Sequence, residues 1–282
     1  MTSADHHHPQ VRAHHHARLE RVLLTLLAVV AVYTAIAYLL LPALWTHYEH
    51  QKGLANLPMV TRTAQGIPGD AINVGLIGNE KEVLCAMNAA GWFPADPVTL
   101  RSSIEIAGSV LFDRAYKDAP VSPLFYLGRH EDLAFEKPDG NSADQRHHVR
   151  FWKVLDQGQE QRPVWLGAVT FDRSVGISRY TGAITHHIAA DIDAERKLLT
   201  ADLEAAGMVN AKYQVTGVGP TMDGRNGGGD LYYTDGEVWV LRLVADCHKQ
   251  DGPVATLPSP AATEMKDQIW HAIAQSLPDR PG

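Results

Sequence analysis

The stretch RHHVRFW, residues 146–152, alternates apolar and polar side chains and indicates a β-strand. Successive side chains of a strand point to opposite faces. One face carries an apolar pair with a histidine at its edge: His147, Val149 and Phe151. The other carries the basic and aromatic set: Arg146, His148, Arg150 and Trp152. We expect the first face in the core, whereas the second either binds an anion or is the solvent face of a sheet.

Similar segments indicate more strands around this one. β-branched and aromatic residues between turn residues mark PLFYLG, DLAFEKP, PVWLGAVTFDR and NAKYQVTGVG. LYYTDGEVWVLRLVAD reads as a hairpin that turns at Asp235 and Gly236. A short apolar strand, INVGLIG, comes before a helix.

Helices are predicted at three places in the same region. NEKEVLCAMNAAG has Asn79 as N-cap and Gly91 for a left-handed end, residues 100–111 are amphipathic, and a helix follows Asp191. The helix after Asp191 ends in LEAAGMV, which resembles MNAAGWF at the end of the first helix. Strands, helices and a hairpin in uneven order predict an α+β domain with a mixed or largely antiparallel sheet and a few packed helices.

One transmembrane helix is predicted before this domain. Residues 22–41 contain no charge, and a helix rising ~1.5 Å per residue covers ~30 Å over that length, the thickness of a bilayer core. A cleaved signal has an apolar region of only ~7 to 15 residues, so we expect an uncleaved anchor. Arg12, Arg18 and Arg21 precede the span, which places the N-terminus in the cytoplasm and the rest outside the inner membrane.

Composition excludes some classes of function. A net charge of −7 argues against a nucleic-acid binder, which needs a basic surface. The two cysteines form no CxxC motif, which argues against a CxxC redox site and against a Cys-rich zinc site. Cys85 falls on the apolar side of its helix, which favours a core position over a catalytic one, and a disulfide with Cys247 stays open.

The chain divides into five predicted parts: a His-rich cytoplasmic tail (1–21), the transmembrane helix (22–41), a linker or irregular lead-in (42–70), the folded domain (71–248) and a Pro-rich tail (249–282). Gly and Pro without periodicity mark the linker. A modest helical pattern over residues 265–275 lies in the last part.

Two histidine pairs are the main candidates for chemistry. His186 and His187 stand before Asp191, Asp193 and Glu195, acids that a helix N-terminus also favours. Imidazole and carboxylate groups could bind zinc or another divalent metal, although HExxH and DxDxDG patterns are missing. The candidate metal ligands are His147, His148, His186, His187 and Asp191. The candidate catalytic groups are His148, Arg150, His186, His187 and Asp193.

The segment GVGPTMDGRNGGGD, residues 217–230, is rich in glycine. Glycine lets a backbone approach a ligand, but the P-loop ending GKS or GKT is missing. A flexible loop before a hairpin is the favoured interpretation, with Arg225 or Asp230 able to contact a ligand. FDRSVGISRYTG also offers Asp172 and Ser178, but it lacks GxSxG.

Several long motifs together resemble one family over residues 57–244. They are LPMVTRTAQGIPGDAINVGLIG, APVSPLFYLGRHEDLAFEKP, RHHVRFW, PVWLGAVTFDRSVGISRYTGAITHHI, DIDAERKLLTADL and GRNGGGDLYYTDG. The chain resembles the LssY C-terminal domain family. The resemblance implies a component of a type I secretion system and supplies no catalytic residues. The domain also occurs behind DedA-like and phosphatidic-acid-phosphatase-like membrane domains, but this chain has a single predicted anchor in their place.

These observations lead to three hypotheses about function. The first is a membrane-anchored accessory or binding component of the cell envelope or a secretion system, with a protein partner there. The alternative is a metal-assisted hydrolase acting on a phosphorylated or envelope substrate, in which Arg150 steadies an anion. The third is a purely structural domain whose histidines order its core.

Overall fold

The structure is a computed structural model of the 282-residue chain. It describes residues 9–40, 53–54, 57–95, 123–139, 145–158, 160–182, 184–216, 224–258, 268–269 and 272. The chain forms two compact units, Met1–Tyr48 and Glu49–Gly282.

The N-terminal unit contains one long helix, α1 (Pro9–Ala35), which continues as a π-helical segment over Ile36–Leu40. Its apolar part, Arg18–Tyr38, is 21 residues long with a mean hydropathy of 2.0. Its large apolar side chains are exposed, as at Leu24 and Leu27. The helix is therefore long and apolar enough to be a membrane span or a signal sequence. It agrees with the predicted span up to residue 40.

The second unit is built on a nine-stranded sheet with the order β14-β10-β13-β3-β8-β7-β6-β4, and β9 pairs with the far end of β8. Its strands are β3 (Val74–Ile77), β4 (Phe93–Pro94), β6 (Leu133–Pro138), β7 (Arg146–Leu155), β8 (Val164–Ile177), β9 (Ile184–Ile188), β10 (Val209–Thr216), β13 (Glu237–Leu243) and β14 (Ala255–Thr256). Neighbours are antiparallel except for two parallel pairs, β13 with β3 and β10 with β14. The predicted α+β class with a mixed sheet is confirmed.

Two smaller sheets complete this unit. The first has the order β2-β1-β5, with β1 at Val60–Thr63, β2 at Pro68–Ala71 and β5 at Leu124–Phe125. The second pairs β11 (Gly224–Arg225) with β12 (Leu231–Tyr232). The expected linker over residues 42–70 is thus wrong for β1 and β2, because Thr61 and Asp70 are buried and the Thr61 hydroxyl donates to the Asp70 carbonyl.

The alternation in β7 places side chains on two faces and the first face in the core, as predicted, but the second face is buried as well. Val149 and Phe151 belong to the larger core, which they share with the helices α2 (Glu80–Ala89) and α3 (Ile192–Ala205). Trp152 belongs to a second core on the other face, with Leu124 and Tyr126 from the β5 region. Each fully buried side chain of this size contributes roughly 1.5–3 kcal/mol through removal from water. The sheet is therefore covered on both faces.

The two helices of this unit begin with the predicted caps. The Asn79 side chain accepts from the Glu82 amide while the Glu82 carboxylate accepts from the Asn79 amide, which is a capping box. Asp191 accepts from the Ala194 amide. Both helices end in the same motif, because Gly91 and Gly207 have φ of +79° and +70°. The resemblance between the two Ala-Ala-Gly endings is therefore one of local geometry, since a two-residue strand follows α2 and an eight-residue strand follows α3.

The predicted hairpin over residues 231–246 is wrong. The chain does turn at Gly236, where φ is +77°, but β12 pairs with β11 whereas β13 pairs with β10 and β3. The reason lies in α3, where Arg196 binds the Asp235 carboxylate and the Glu237 carbonyl. The turn is fixed to a helix and leads the chain from one sheet into another.

Some predicted elements fall wholly or partly outside the described residues. The amphipathic segment 100–111 does so completely. Within the pattern over residues 265–275, residues 268, 269 and 272 are described and are helical. Part of the Pro-rich tail belongs to the folded unit, because β14 joins the sheet beside β10.

Candidate functional site

A cavity of about 210 Å³ lies where β7, β8 and β9 approach the β1–β2 turn and residues 226–228. Strand pairing places its polar side chains together, because His148 is opposite Thr170 and Arg146 is opposite Asp172 in the β7–β8 register. The polar side chains that line it include Asp70, His148, Arg150, Thr170, Asp172, His186, Ser178 and Asn226. We call this cavity the strand pocket.

Arg150 and Asp70 form the charged wall of the strand pocket. Arg150 Nη1 lies 3.5 Å from Asp70 Oδ2, and its Nε lies 3.7 Å from Glu131 Oε1. Burial raises the pKa of Asp70 from 3.8 to about 6, which outweighs the opposing effect of Arg150, and Asp172 and Asp230 raise the pKa further. Asp70 can therefore gain or lose a proton close to neutral pH.

His148 is the most unusual group of the strand pocket. Its side chain is buried at 3% exposure, and within the described part of the chain its Nε2 has no hydrogen-bond partner. Burial, followed by the charges of Arg150 and Arg146, holds the pKa of His148 well below its ordinary 6.5. The imidazole is thus neutral at pH 7, with one buried nitrogen able to bind a ligand atom. Buried polar atoms are rarely left without a partner.

Arg146 connects three groups behind this wall. It donates to Glu136 Oε2 at 2.8 Å and to Asp172 Oδ2 at 3.3 Å, and its Nη2 lies 3.4 Å from His186 Nε2. Burial raises the pKa of Asp172, while Arg146 and Arg150 act in the opposite direction. The basic face of residues 146–152 is buried, so the alternative that it is the solvent face of a sheet is wrong, and anion binding there stays a prediction.

The other two candidate histidines lie elsewhere. His147 points to the larger core, where its Nδ1 is 2.7 Å from Glu195 Oε2 at the start of α3. The Nδ1 of His187 is 2.8 Å from Asp230 Oδ1, and Asp230 also accepts from the Ile188 amide. Both histidines are held by one carboxylate each, and these contacts join neighbouring elements.

The acids before α3 serve the helix and the turn beside it. Asp191 caps the helix at 3.0 Å from the Ala194 amide. Asp193 accepts from the Thr234 hydroxyl and the Asp235 amide, both at 2.7 Å, and burial raises its pKa. The predicted helix cap is confirmed. Asp193 joins α3 to the turn at Thr234 and Asp235, outside the strand pocket.

The five candidate metal ligands do not converge. Three lie apart, at the α3 contact, the Asp230 contact and the helix cap, and two line the strand pocket. Within the described residues, no three His, Cys, Asp or Glu side chains are grouped so that they could hold a metal ion. A metal-binding role for these residues stays a prediction from the sequence.

The glycine-rich segment is described from residue 224 onward, and there it forms a packed turn. The Asn226 side chain accepts from the amides of Gly228 and Asp230. A Cβ on Gly227 would lie 2.5 Å from Thr63 Cγ2, so any other residue there would displace the Thr63 side chain on the facing pocket wall. The favoured interpretation as a flexible loop is therefore wrong for residues 224–230.

Sequence reasoning missed several residues of the strand pocket, among them Asp70, Thr170 and Asn226. The alternation V-T-F-D in β8 gave a signal for Thr170 and Asp172, because it places both on one strand face. Asp70 stood in a segment that resembled a linker, and no local pattern places it beside Arg150.

Cys85 and Cys247 form a disulfide that joins α2 to the segment after β13, with a Cα–Cα distance of 6.1 Å. The sequence alone did not decide whether this disulfide forms. Disulfides form in oxidising compartments, which is relevant to the location of this unit.

A comparison with protein families identifies the chain. Residues 54–238 match the family model described as LssY C-terminus. The matched range contains every residue of the strand pocket named above. No curated protein and no solved structure matches the chain. Because the family model covers more than half of the 282 residues, the chain belongs to the LssY C-terminus family.

Proposed function

We propose that this chain is a single-pass protein of the inner membrane whose folded unit faces the cell envelope and binds a small ligand there. The apolar helix over Arg18–Tyr38 supports the anchor. The arginines before it favour a cytoplasmic N-terminus. The disulfide between Cys85 and Cys247 supports an oxidising compartment for the folded unit.

The strand pocket supports a binding role through one observation, the buried His148 Nε2, which has no hydrogen-bond partner among the residues that the structure describes. A buried polar atom in this state costs about 1–3 kcal/mol, which a bound ligand would recover. Arg150, at 6% exposure beside it, adds a buried guanidinium group, which lies 3.5 Å from Asp70 and 3.7 Å from Glu131. Guanidinium groups suit oxyanions, so the proposed ligand carries a phosphate or a similar oxygen-rich group.

Such binding fits an accessory component of the envelope or a secretion system, which holds a ligand or presents it to a protein partner. The family match supports this proposal through membership of the LssY C-terminus family. The partner is a further part of the proposal and is sought by crosslinking of the full chain in its own membrane.

The test is a calorimetric titration of the full-length chain in detergent with glycerol 3-phosphate. We expect His148→Gln to weaken binding about tenfold, equivalent to about 1.4 kcal/mol. Arg150→Gln removes a charged hydrogen-bond donor, worth roughly 1.5–3 kcal/mol, and should weaken binding more strongly.

The matched control is Arg242→Gln, because Arg242 lies on β13 and contacts Asn210 and Glu160 outside the strand pocket. Circular dichroism verifies that each variant is folded. Binding that is equal in the parent and in the folded His148 and Arg150 variants would refute the proposal, as would the lack of any binding by the parent.

A second candidate function is hydrolysis of a phosphorylated or envelope substrate, favoured by the pKa of about 6 at Asp70. General acid–base groups work best when their pKa lies near the working pH. Hydrolysis of bis(4-nitrophenyl) phosphate should then be lost in Asp70→Asn while glycerol 3-phosphate still binds. No hydrolysis by the parent would exclude this candidate for phosphodiesters.

The metal-assisted form of this hydrolase has its own test. Elemental analysis uses the full chain with the histidines of residues 6–16 replaced, because these would bind metal nonspecifically. Stoichiometric metal that disappears in His186→Ala would support it. A metal-free and folded parent would count against it.

A further inference from the structure

The far end of β8 and the strand β9 form a ribbon with an exposed apolar face. Beyond Asp172, β8 continues to Ile177 and pairs with β9 through residues 174–177 and 184–187. Its large apolar side chains are exposed to different degrees: Val175 46%, Ile177 65%, Tyr180 50% and Ile184 70%. We call residues 173–182 and 184–187 the apolar ribbon. Exposed apolar clusters of this kind mark contact surfaces.

Strand register places three of these side chains on one face. Val175 is opposite His186, and Ile177 is opposite Ile184. Paired residues of an antiparallel ladder point to the same side, and so do residues two apart. One face therefore runs from Ile177 and Ile184 at the tip to Val175 and His186 at the base.

The same face leads into the strand pocket. Ile184 and His186 both line it, together with Ser178 at the tip turn. The surface thus changes from apolar side chains to the charged wall of Arg150 and Asp70 within one continuous stretch. A ligand with an apolar chain and a polar head would match this order.

The apolar ribbon is held in place by defined contacts. The Arg179 amide donates to the Gly228 carbonyl at 2.9 Å, and the Ser178 hydroxyl accepts from the amides of Tyr180 and Thr181. A Cβ on Gly229 would lie 2.9 Å from Arg179 Cβ, and φ there is +91°, so glycine permits the contact. These contacts fix the ribbon beside the Asn226 turn.

The charge of the ribbon complements an anionic surface. Between residues 173 and 187 the chain has two arginines and no acidic residue, although the whole chain carries a net charge of −7. Both Arg173 and Arg179 are exposed. Basic residues beside apolar ones are typical of segments that lie on anionic bilayers.

From these observations we propose that the apolar ribbon contacts the lipid bilayer and that the strand pocket binds the headgroup of an anionic phospholipid from that bilayer. The candidate membrane helix over Arg18–Tyr38 supports this occupant over others, because it would keep the folded unit near a bilayer. The proposal rests on the proposed function and extends it from a soluble group to a lipid.

The first experiment measures contact with the bilayer. Ile177→Cys is labelled with the fluorophore NBD in the full chain, which is reconstituted into vesicles of phosphatidylglycerol and phosphatidylcholine. Cys85 and Cys247 are joined and do not react. We expect emission to shift to the blue and to be quenched by spin-labelled lipid.

The matched control is Lys197→Cys, at an exposed position of α3. The NBD label at this position should emit at the wavelength of an NBD label in water. Equal emission and equal quenching at the two positions would overturn the contact with the bilayer and would point to a protein occupant of the ribbon.

The second experiment separates the lipid from its soluble headgroup. The parent should bind dihexanoyl phosphatidylglycerol, below its micelle concentration, at least tenfold more tightly than glycerol 3-phosphate. The double variant Val175→Ser, Ile177→Ser lies outside the pocket lining and should bind both ligands equally. If the parent binds both equally, the lipid proposal fails alone, whereas if it binds neither, the proposed function fails with it.

Discussion

Asp70 combines a buried position with a pKa near neutrality, and this makes its titration visible in the stability of the protein. The folded state holds the Asp70 proton more tightly than the unfolded chain, since burial raises the pKa from 3.8 to about 6. Protonation of Asp70 therefore stabilises the folded parent protein fully below about pH 4, and this stabilisation is lost as the pH rises through about 6. The loss is on the order of 3 kcal/mol, at 1.36 kcal/mol per pKa unit.

Asp70→Asn removes this titration. We expect the unfolding free energy of the variant, relative to the parent, to rise from pH 4 to about pH 7 and then to level off. Thermal melts at fixed pH values measure it. Asp156→Asn is the control, because its side chain is 87% exposed. A constant difference between Asp70→Asn and the parent over this range would contradict the raised pKa.

The residues of the strand pocket differ in how far the sequence could predict them. The two faces of residues 146–152 follow from strand periodicity alone, so His148 and Arg150 were candidates from the start. Asp70 and Asn226 come from distant segments, and their approach to β7 depends on tertiary packing. The opposite orientations of His147 and His148 also explain why the four histidines form no single site.

The helix α3 depends on its N-cap, and this gives a prediction for one element. Asp191→Ala should cost about 1 kcal/mol of stability, because the Ala194 amide loses its acceptor. Asp191→Asn should cost only a few tenths, since asparagine caps equally well. Thermal unfolding of the three proteins distinguishes these effects. An asparagine variant as unstable as the alanine variant would show that the negative charge of Asp191 has another role.

Elements with strong local signals were predicted well, and elements fixed by distant contacts were not. Asn79, Asp191 and the two glycines after the helices contain enough information to set both helix ends. The turn at Asp235 and Gly236 was predicted, but Arg196 directs the chain into another sheet. The strands β1 and β2 are four residues each and lack periodicity, and tertiary contacts stabilise them.

The location of the folded unit determines whether its cysteines are oxidised. In cells, we expect Cys85 and Cys247 of the full chain to resist alkylation after denaturation until a reductant is added. Replacement of both by serine should cost about 2–4 kcal/mol, because the bond closes a long loop. Alkylation without a reductant would place the unit in a reducing compartment and contradict the proposed topology.

The central claim is that His148 is a neutral, buried ligand-binding group, and nitrogen-15 NMR of the histidine rings tests it most directly. Spectra of the full chain in detergent are compared with those of His148→Gln, which identifies the His148 signals. We expect them to show a ring that is still neutral at pH 6.5, the ordinary pKa of histidine, and Nε2 to shift when glycerol 3-phosphate is added while the His147 signals do not shift. A His148 ring that titrates near pH 6.5, or an Nε2 signal that ignores the ligand, would contradict the account.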